Sequence, residues 1–590
     1  MYADDLAIYV TGNNKKTMNE ILQSEFNTLH TELANLNLSI NTSKSAVIYF
    51  NRLETDLDAA IICNSNIINE KEKVKYLGIT LDRCMTGKAH TTIVKERTSK
   101  DIKAMLLMKG SSWGNHPKEQ LMLYTLVIRP KIEYGAFMYL WTNTGNIAVL
   151  QKVQNQALRQ ALGAVITTPI VSLHAIAGML PLIYRITVYN RRQLLRLTVT
   201  SPTTRDKITT VATVLNNISN ASYKTVKDDL SYIQTQVCCH NILLPTTSQI
   251  HWRNTVPGLK DMCSTTIPKV KKKNCAESDQ AIRQKVLEHL YRTYPSRARI
   301  YTDGSKRPGG VSAAYICESH GQGRGVKLHH ASSIFSAETF ALEMALQHID
   351  TQHTDDCVIL SDSRSALEVL AGVRIGDLPP LPLYRHLTLM KRIVKNTHLN
   401  LQWIPSHKGI IGNNLVDDMC AAIIRNSTTD EEAYTMHTDL YNNILTNQQL
   451  RWRVDYQNRE GPGSWTRKLV ADPNTPPWFN EETDMKISDI TYINRLLMGH
   501  GFENLFKCRM KKRQDPYCEE CGGEIVQDVL HLIMHCTKTA RAVAEVIGGN
   551  WLEETERREE LTVQFLQRGL LEHTLLKNLH KGMTDARVKV

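Results

Sequence analysis

Apolar positions follow two different periods along this 590-residue chain, and the changes of period mark out its parts. Near the N-terminus a short apolar run, Leu6–Val10, predicts a strand. Met18, Ile21, Leu22, Phe26, Leu29, Leu33 and Leu36 then recur at helical spacing over about five turns. Ala46–Phe50 and Val74–Leu81 predict two more strands, the second broken by Gly78. Residues 83–295 read mostly as helix. Examples are Lys118–Leu140, interrupted by Pro130, and Ile147–Leu162, with Ala148, Val149, Val153, Ala157 and Leu158 on one side. Within that region, 201–280 is rich in Thr, Ser, Asn and Lys and weakly periodic, as loosely packed helices and a linker would be.

The pattern changes at Ala298. Arg299–Thr302, Val311–Cys317 and Gly325–His330 predict three strands separated by turn residues. Phe335–Ile349 predicts a helix, Cys357–Ser361 a buried strand, Ser363–Ala371 a helix, Leu399–Ile404 a fifth strand and Asn414–Arg425 a closing helix. A meander followed by alternating helices and strands predicts an α/β fold with a mixed five-stranded sheet. Polar helical sequence, a short Cys/His block and a charged helical tail follow. The expected division is 1–82, a mostly helical 83–295, the α/β segment 296–428, and a helical 429–590 holding the Cys/His block at 518–536.

Composition narrows the class. Hydrophobic residues make up 42% and charged residues 22%, so wholesale disorder is excluded. A net charge of +12 leans towards a polyanionic partner such as nucleic acid. No apolar run approaches the ~18 residues of a bilayer span, and MYADDLAIYV has no basic leader, so neither a membrane nor a secretory route is expected. Thirteen thinly spread cysteines predict a reducing, intracellular compartment and at most one metal site of that type.

Four acids fall at the ends of the elements in 296–428. Asp303 closes the first strand, Glu338 sits in the first helix, Asp362 follows the fourth strand and Asp417 lies early in the last helix. Clustered carboxylates suit Mg²⁺, which takes hard oxygen ligands, and Mn²⁺ is possible in its place. Two such ions about 4 Å apart can hold both the attacking water and the leaving oxygen of a phosphodiester. His407, ten residues before Asp417, is placed to move protons or help product leave. Taken singly, each acid is more often a solvated charge or a helix cap.

The surrounding strings remove that ambiguity. Thr302–Ser305 (TDGS), Ser336–Glu338 (SAE), Ser361–Ser363 (SDS) and Ser406–Asp417 (SHKGIIGNNLVD) occur in this order, and the segment resembles a ribonuclease H domain. The resemblance implies that Asp303, Glu338, Asp362 and Asp417 are metal-binding acids and His407 a mobile histidine. Asn414 stands where the family usually has Glu, at a position that is not a ligand; Asp418 is an alternative to Asp417. Integrases and transposases order their acids Asp, Asp, Glu, which this chain does not.

Tyr2-Ala3-Asp4-Asp5, the helix after it, Leu38-Ser39-Ile40-Asn41 with Lys44-Ser45, and Tyr76-Leu77-Gly78 resemble the end of the palm of a jockey-like, non-LTR retrotransposon reverse transcriptase. Leu150-Gln151 through Leu158-Arg159, Gly163 and Pro181-Leu182 resemble the thumb side of the same elements. A polymerase needs a further carboxylate on an earlier strand, so Asp4 and Asp5 are expected to be relic ligands of a polyprotein fragment that does not synthesise DNA.

Cys518-x₂-Cys521-x₉-His531-x₄-Cys536 has soft ligands at the spacing of a tetrahedral, structural zinc site, with Gly522-Gly523 supplying a turn. It also resembles the C-terminal zinc knuckle of these retrotransposon proteins, including Arg495–His500 (RLLMGH) ahead of it. His535 is an alternative fourth ligand and Cys508 a remote one. Segment 296–428 carries fourteen basic and twelve acidic residues, a net +2, so +10 lies outside it. Lys269–Lys273, Lys507 and Arg509–Arg513 are the basic runs that could follow a phosphate backbone.

The expectation is a two-metal, Mg²⁺-dependent endonuclease for the RNA strand of RNA–DNA hybrids, with one structural Zn²⁺. The alternatives are a truncated full RNA-directed DNA polymerase and a catalytically relic nucleic-acid-binding protein.

Overall fold

The computed structural model describes residues 5–50, 60–109, 113–141, 144–200, 202–217, 224–239, 242–243, 256–270, 277–352, 356–374, 376–377, 381–426, 428–429, 433–481 and 485–586. The chain divides into two compact units. One is 191–447; the other combines 1–190 with 448–590. Among the described residues no single helix is long and apolar enough to cross a membrane.

Unit 191–447 is built on a six-stranded sheet. Its strands are β1 (Cys263–Ser264), β2 (Ala298–Arg307), β3 (Gly310–Cys317), β4 (Gln322–Leu328), β5 (Asp356–Ser361) and β6 (His398–Trp403), in the spatial order β1-β6-β5-β2-β3-β4. β2, β3 and β4 form an antiparallel meander, and β5 is parallel to both β2 and β6. Cys357–Ser361 is wholly buried, as a strand covered on both faces requires. Cover comes from α1 (Asp279–Thr293), α2 (Ile334–Gln352), α3 (Arg364–Ala371), α4 (Leu381–Ile393) and α5 (Ile411–Asn426). Their apolar stripes close one continuous core with the sheet, centred on Val358, Ile359, Leu360, Leu342 and Leu346.

The sheet has six strands, not the expected five. β1 comes from the polar stretch before 280 and pairs with β6 through Leu401–Cys263 and Gln402–Ser264. Gln402 Nε2 adds side-chain bonds to the carbonyls of Ser264 (3.4 Å) and Thr266 (3.2 Å). Two paired residues carry no readable period, so nothing in the pattern announces this strand. Beyond Asn426 the chain still packs on the unit. Tyr434 Oη donates to buried Glu343 (2.7 Å), and Ser336 Oγ donates to buried Asp439 (2.6 Å) at the start of α6 (His437–Gln457).

In the other unit, helix Lys15–Asn35 is capped by Asn14, whose Oδ1 accepts from the Thr17 amide at 3.2 Å. Leu22 and Phe26 rest on Ile61, Cys63 and Ile68 of a hairpin, Ala60–Cys63 and Asn66–Asn69. Three strand expectations change here. Leu6–Val10 is not a strand, and Leu6 and Tyr9 are exposed. Ala46–Phe50 makes only an isolated bridge from Val47 to Glu70. Short apolar runs become strands only when a neighbour supplies the ladder. Val74–Leu81 is a hairpin, Lys73–Tyr76 with Ile79–Asp82, turning through Leu77 and Gly78. The expected helix from Lys118 runs instead over Pro117–Glu133, with a wide π-type turn at Tyr124–Ile128 just before Pro130. Pro130 has no N–H to give the preceding turn, which accommodates the break.

A large core in this unit joins segments far apart in sequence. Leu121, Leu158, Leu162, Leu173 and Ile176 pack with Trp465, Trp478, Phe479, Ile493, Leu497 and Leu532. Buried polar contacts fix the match. Asn494 Nδ2 donates to the Leu162 carbonyl (3.3 Å), Arg495 Nε to the Gly163 carbonyl (2.8 Å), and Trp478 Nε1 to Asn494 Oδ1 (3.0 Å). The Arg495–His500 string therefore begins by capping the C-terminal end of helix Thr144–Leu162.

Candidate active site and metal-binding clusters

Asp303 lies in β2, Glu338 in α2, and Asp362 directly after β5, which is hydrogen-bonded to β2. Asp303 does not close its strand as expected, because pairing with β3 carries β2 on to Arg307. It is the parallel pairing of β5 with β2 that ends at Ser361 opposite Thr302, so the next residues, Asp303 and Asp362, come to one edge. Glu338 reaches them because α2 presses on Gly304. A Cβ there would lie 2.4 Å from the Glu338 amide nitrogen, so only glycine permits this approach. One carboxylate oxygen from each of the three acids falls within 4.8 Å of the others.

Their electrostatics are those of crowded, buried anions. Burial, then Asp362 and Asp417, push the Asp303 carboxyl up to about 7. Burial, then Asp362 and Asp303, raise Glu338 well above the carboxylate range, although the Gly304 amide donates to it. Asp362 is raised by burial and opposed by hydrogen bonds from Ser406 and Asn413. One oxygen each of Asp303 and Glu338 is buried without a hydrogen-bond partner. Unpartnered, mutually repelling carboxylate oxygens are the donor set a hard divalent cation satisfies, so the residues fit Mg²⁺.

Asp417, on α5, stands beside this trio and adds to its repulsion without joining the tight group. It accepts from Arg307, whose Nε also donates to Ser305 Oγ at 3.0 Å. Asp418 is exposed and is not among the three clustered acids. α5 is tied to the sheet by Ser312 Oγ donating to the Cys420 carbonyl (3.0 Å). His407 is exposed, in left-handed backbone (φ 53°), near enough to favour ionised Asp362. Trp403 is buried, and its Nε1 donates to the Asp362 carbonyl (3.2 Å), holding the backbone of that acid. Arg307, Ser406 and Asn413 were not singled out from the sequence. Arg307 was signalled by strand alternation, since Asp303, Ser305 and Arg307 share one face.

The Cys/His block forms a second donor group. Ligand atoms of Cys518, Cys521, His531 and Cys536 lie within 4.8 Å of one another. The Cys536 sulfur is 3.9 Å from that of Cys518 and 4.0 Å from that of Cys521. Two thiolates on one tetrahedral zinc are separated by about 3.8 Å. Both ring nitrogens of buried His531 lack hydrogen-bond partners, as suits a ligand. Gly522 and Gly523 take φ of 87° and 77°, so the turn needs them. Asp528 caps helix Val529–Met534 by accepting from the His531 amide (2.7 Å). His535 is exposed and Cys508 bonds elsewhere, to Gln514. The block is not free-standing: Cys518 and Cys536 are buried in the core that contains Leu158 and Leu162.

Asp5 is exposed, and Asp4 lies outside the described residues, as do Lys271, Lys272 and Lys273. Lys511 and Lys512 are exposed, while Arg513 pairs with Asp515 and Glu519.

Residues 295–424 match the RNase H family model. This segment is a ribonuclease H domain, on a mixed sheet of the kind such a domain requires. The chain is 28% identical over 170 residues to an RNA-directed DNA polymerase from mobile element jockey of Drosophila melanogaster, covering 28% of this chain and 18% of that protein. The jockey polymerase of Drosophila funebris is 23% identical over 163 residues, again 28% of this chain and 18% of the relative. A putative 115 kDa protein in type-1 retrotransposable element R1DM of Drosophila melanogaster is 23% identical over 185 residues, 31% of this chain and 18% of the relative. The chain is thus a relative of jockey-like, non-LTR retrotransposon proteins, carrying a ribonuclease H domain, and it spans less than a fifth of the length of the curated relatives it matches.

Proposed function

We propose that this chain hydrolyses the RNA strand of RNA–DNA hybrids endonucleolytically, using Asp303, Glu338, Asp362 and Asp417 to hold Mg²⁺. The observation that carries the reading is the convergence of three acids, two of them with buried, unpartnered oxygens, in a domain matching the RNase H family. Two divalent ions bound there would activate water and neutralise the charge on the leaving 3′-oxygen, giving 3′-hydroxyl and 5′-phosphate ends.

The protein's own groups do the rest. Asp303 and Glu338 are fixed on packed elements, so their oxygens need no reorganisation. Ser406 and Asn413 orient Asp362. His407, exposed at the rim, is free to hand a proton to the departing oxygen or to accompany product out. Arg307 holds Asp417 beside the trio. An A-form-like hybrid is read by its shape and 2′-hydroxyls. The Cys518, Cys521, His531 and Cys536 cluster holds one Zn²⁺ that fastens the C-terminal core, with Lys507, Arg509, Lys511 and Lys512 nearby for nucleic acid.

The test is Asp362→Asn in the full chain. It removes a ligand and a charge while keeping size, so hybrid cleavage falls by orders of magnitude and the melting temperature stays or rises. Cleavage at the unsubstituted rate would overturn the proposal.

A further inference from the structure

A third donor cluster lies in unit 191–447, away from the carboxylates. Cys317 ends β3, His320 sits in the turn before β4, and His348 is on α2. The Cys317 sulfur is 3.3 Å from His320 Nδ1, which is 3.2 Å from His348 Nε2. One ligand atom from each lies within 4.8 Å of the others. Cys317 and His348 are buried; His320 is exposed. Cys317 pairs with Ile300, three residues from Asp303, about 10 Å along β2. His348 is ten residues beyond Glu338, about 15 Å along α2.

The Cys317 sulfur also has the Ser319 hydroxyl at 3.3 Å, but the two histidines are poorly served by hydrogen bonding. Nδ1 of His320 has one in-plane position, either a proton or a lone pair, and two neighbours claim it. A metal removes the conflict, because all three atoms then point at one centre. For zinc bonds of about 2.0–2.3 Å, tetrahedral edges between sulfur and nitrogen or two nitrogens are about 3.3–3.6 Å, close to the distances seen here.

We propose that Cys317, His320 and His348 form a transition-metal site taking Zn²⁺, with the fourth position open to solvent beside His320. Binding releases the Cys317 thiol proton to solvent, and the bound thiolate and two neutral imidazoles clip the β3–β4 turn to α2. The site stands apart from the proposed nuclease reaction and does not depend on it.

The test compares zinc content in the full chain, purified reduced, for the unsubstituted protein, His320→Ala and His320→Cys. His320 is exposed, so its replacement leaves the core intact. The unsubstituted chain holds one more Zn²⁺ than His320→Ala, whatever the Cys518 cluster contributes, and His320→Cys restores it. In a Cys521→Ser background, Co²⁺ gives a thiolate charge-transfer band that His320→Ala abolishes. Equal zinc content in the unsubstituted chain and His320→Ala would overturn the proposal, as would a His320→Cys variant that binds no more zinc than His320→Ala.

Discussion

Gly304→Ala places a single methyl where the proposed ribonuclease site is assembled. The added Cβ would sit 2.4 Å from the Glu338 amide nitrogen and 2.7 Å from the Ala337 carbonyl carbon. Both are backbone atoms, so no side-chain rotation relieves the clash, and ordinary contact begins near 3.4 Å. α2 must therefore retreat from β2 by about 1 Å, at an overpacking cost of about 1–3 kcal/mol. Retreat carries Glu338 away from Asp303 and weakens the bond from the Gly304 amide. A 1 Å misplacement of a reacting group costs about 100-fold in rate. Cleavage of a short labelled hybrid should fall by about that factor, with a lower melting temperature. The control is Gly321→Ala, in the β3–β4 turn, where a Cβ meets nothing within 4 Å. Its φ of 58° adds a modest stability cost and leaves the rate unchanged. Wild-type rate and wild-type melting in Gly304→Ala would refute the packing argument.

Three further outcomes are expected. Metal-free Asp303, raised to about 7 from an unfolded value near 4, costs stability progressively as pH rises through that window; Mg²⁺ binds the ionised form, so the melting-temperature gain on adding Mg²⁺ should grow from pH 5 to 7.5, and equal gains would refute it. Cys521→Ser should lose the zinc of its cluster and speed amide exchange as far away as Leu158–Leu162, because Cys518 and Cys536 share that core; exchange changes confined to 516–537 would contradict the shared core. Asn494→Ala leaves the buried Trp478 N–H without its acceptor and should cost about 1–3 kcal/mol in denaturant melts, an unchanged midpoint telling against that contact.

Strands and helices whose faces repeat over several residues were legible in the sequence. β3, β5 and β6 and helices α2, α3 and α5 stand within a few residues of the pattern, so the position of Asp362 just after its strand could be read directly; β2 runs on past Asp303 to Arg307, and α4 was not predicted. What stayed hidden depends on partners. β1 exists only because β6 offers an edge, and Leu6–Val10 has the composition of a strand without being one. Cys317, His320 and His348 meet only when α2 lies along the meander, and none of the three was singled out from the sequence. The Asn494–Leu162 contact crosses 332 positions, which no local window spans.

The split of one unit into 1–190 and 448–590 constrains how the chain can mature on the ribosome. The cluster around Tyr124, Ile132 and Leu150 is assembled wholly within 94–186 and can close early. Leu158, Leu162, Leu173 and Ile176 cannot, because their partners begin at Trp465. At about 5–20 residues per second, the 257 residues of 191–447 take about 13–50 s to emerge. For that interval an apolar helical face waits uncovered while the intervening unit is made. Nascent chains stalled between 190 and 447 should therefore recruit holdase chaperones, and release them once Trp465–Met583 has appeared.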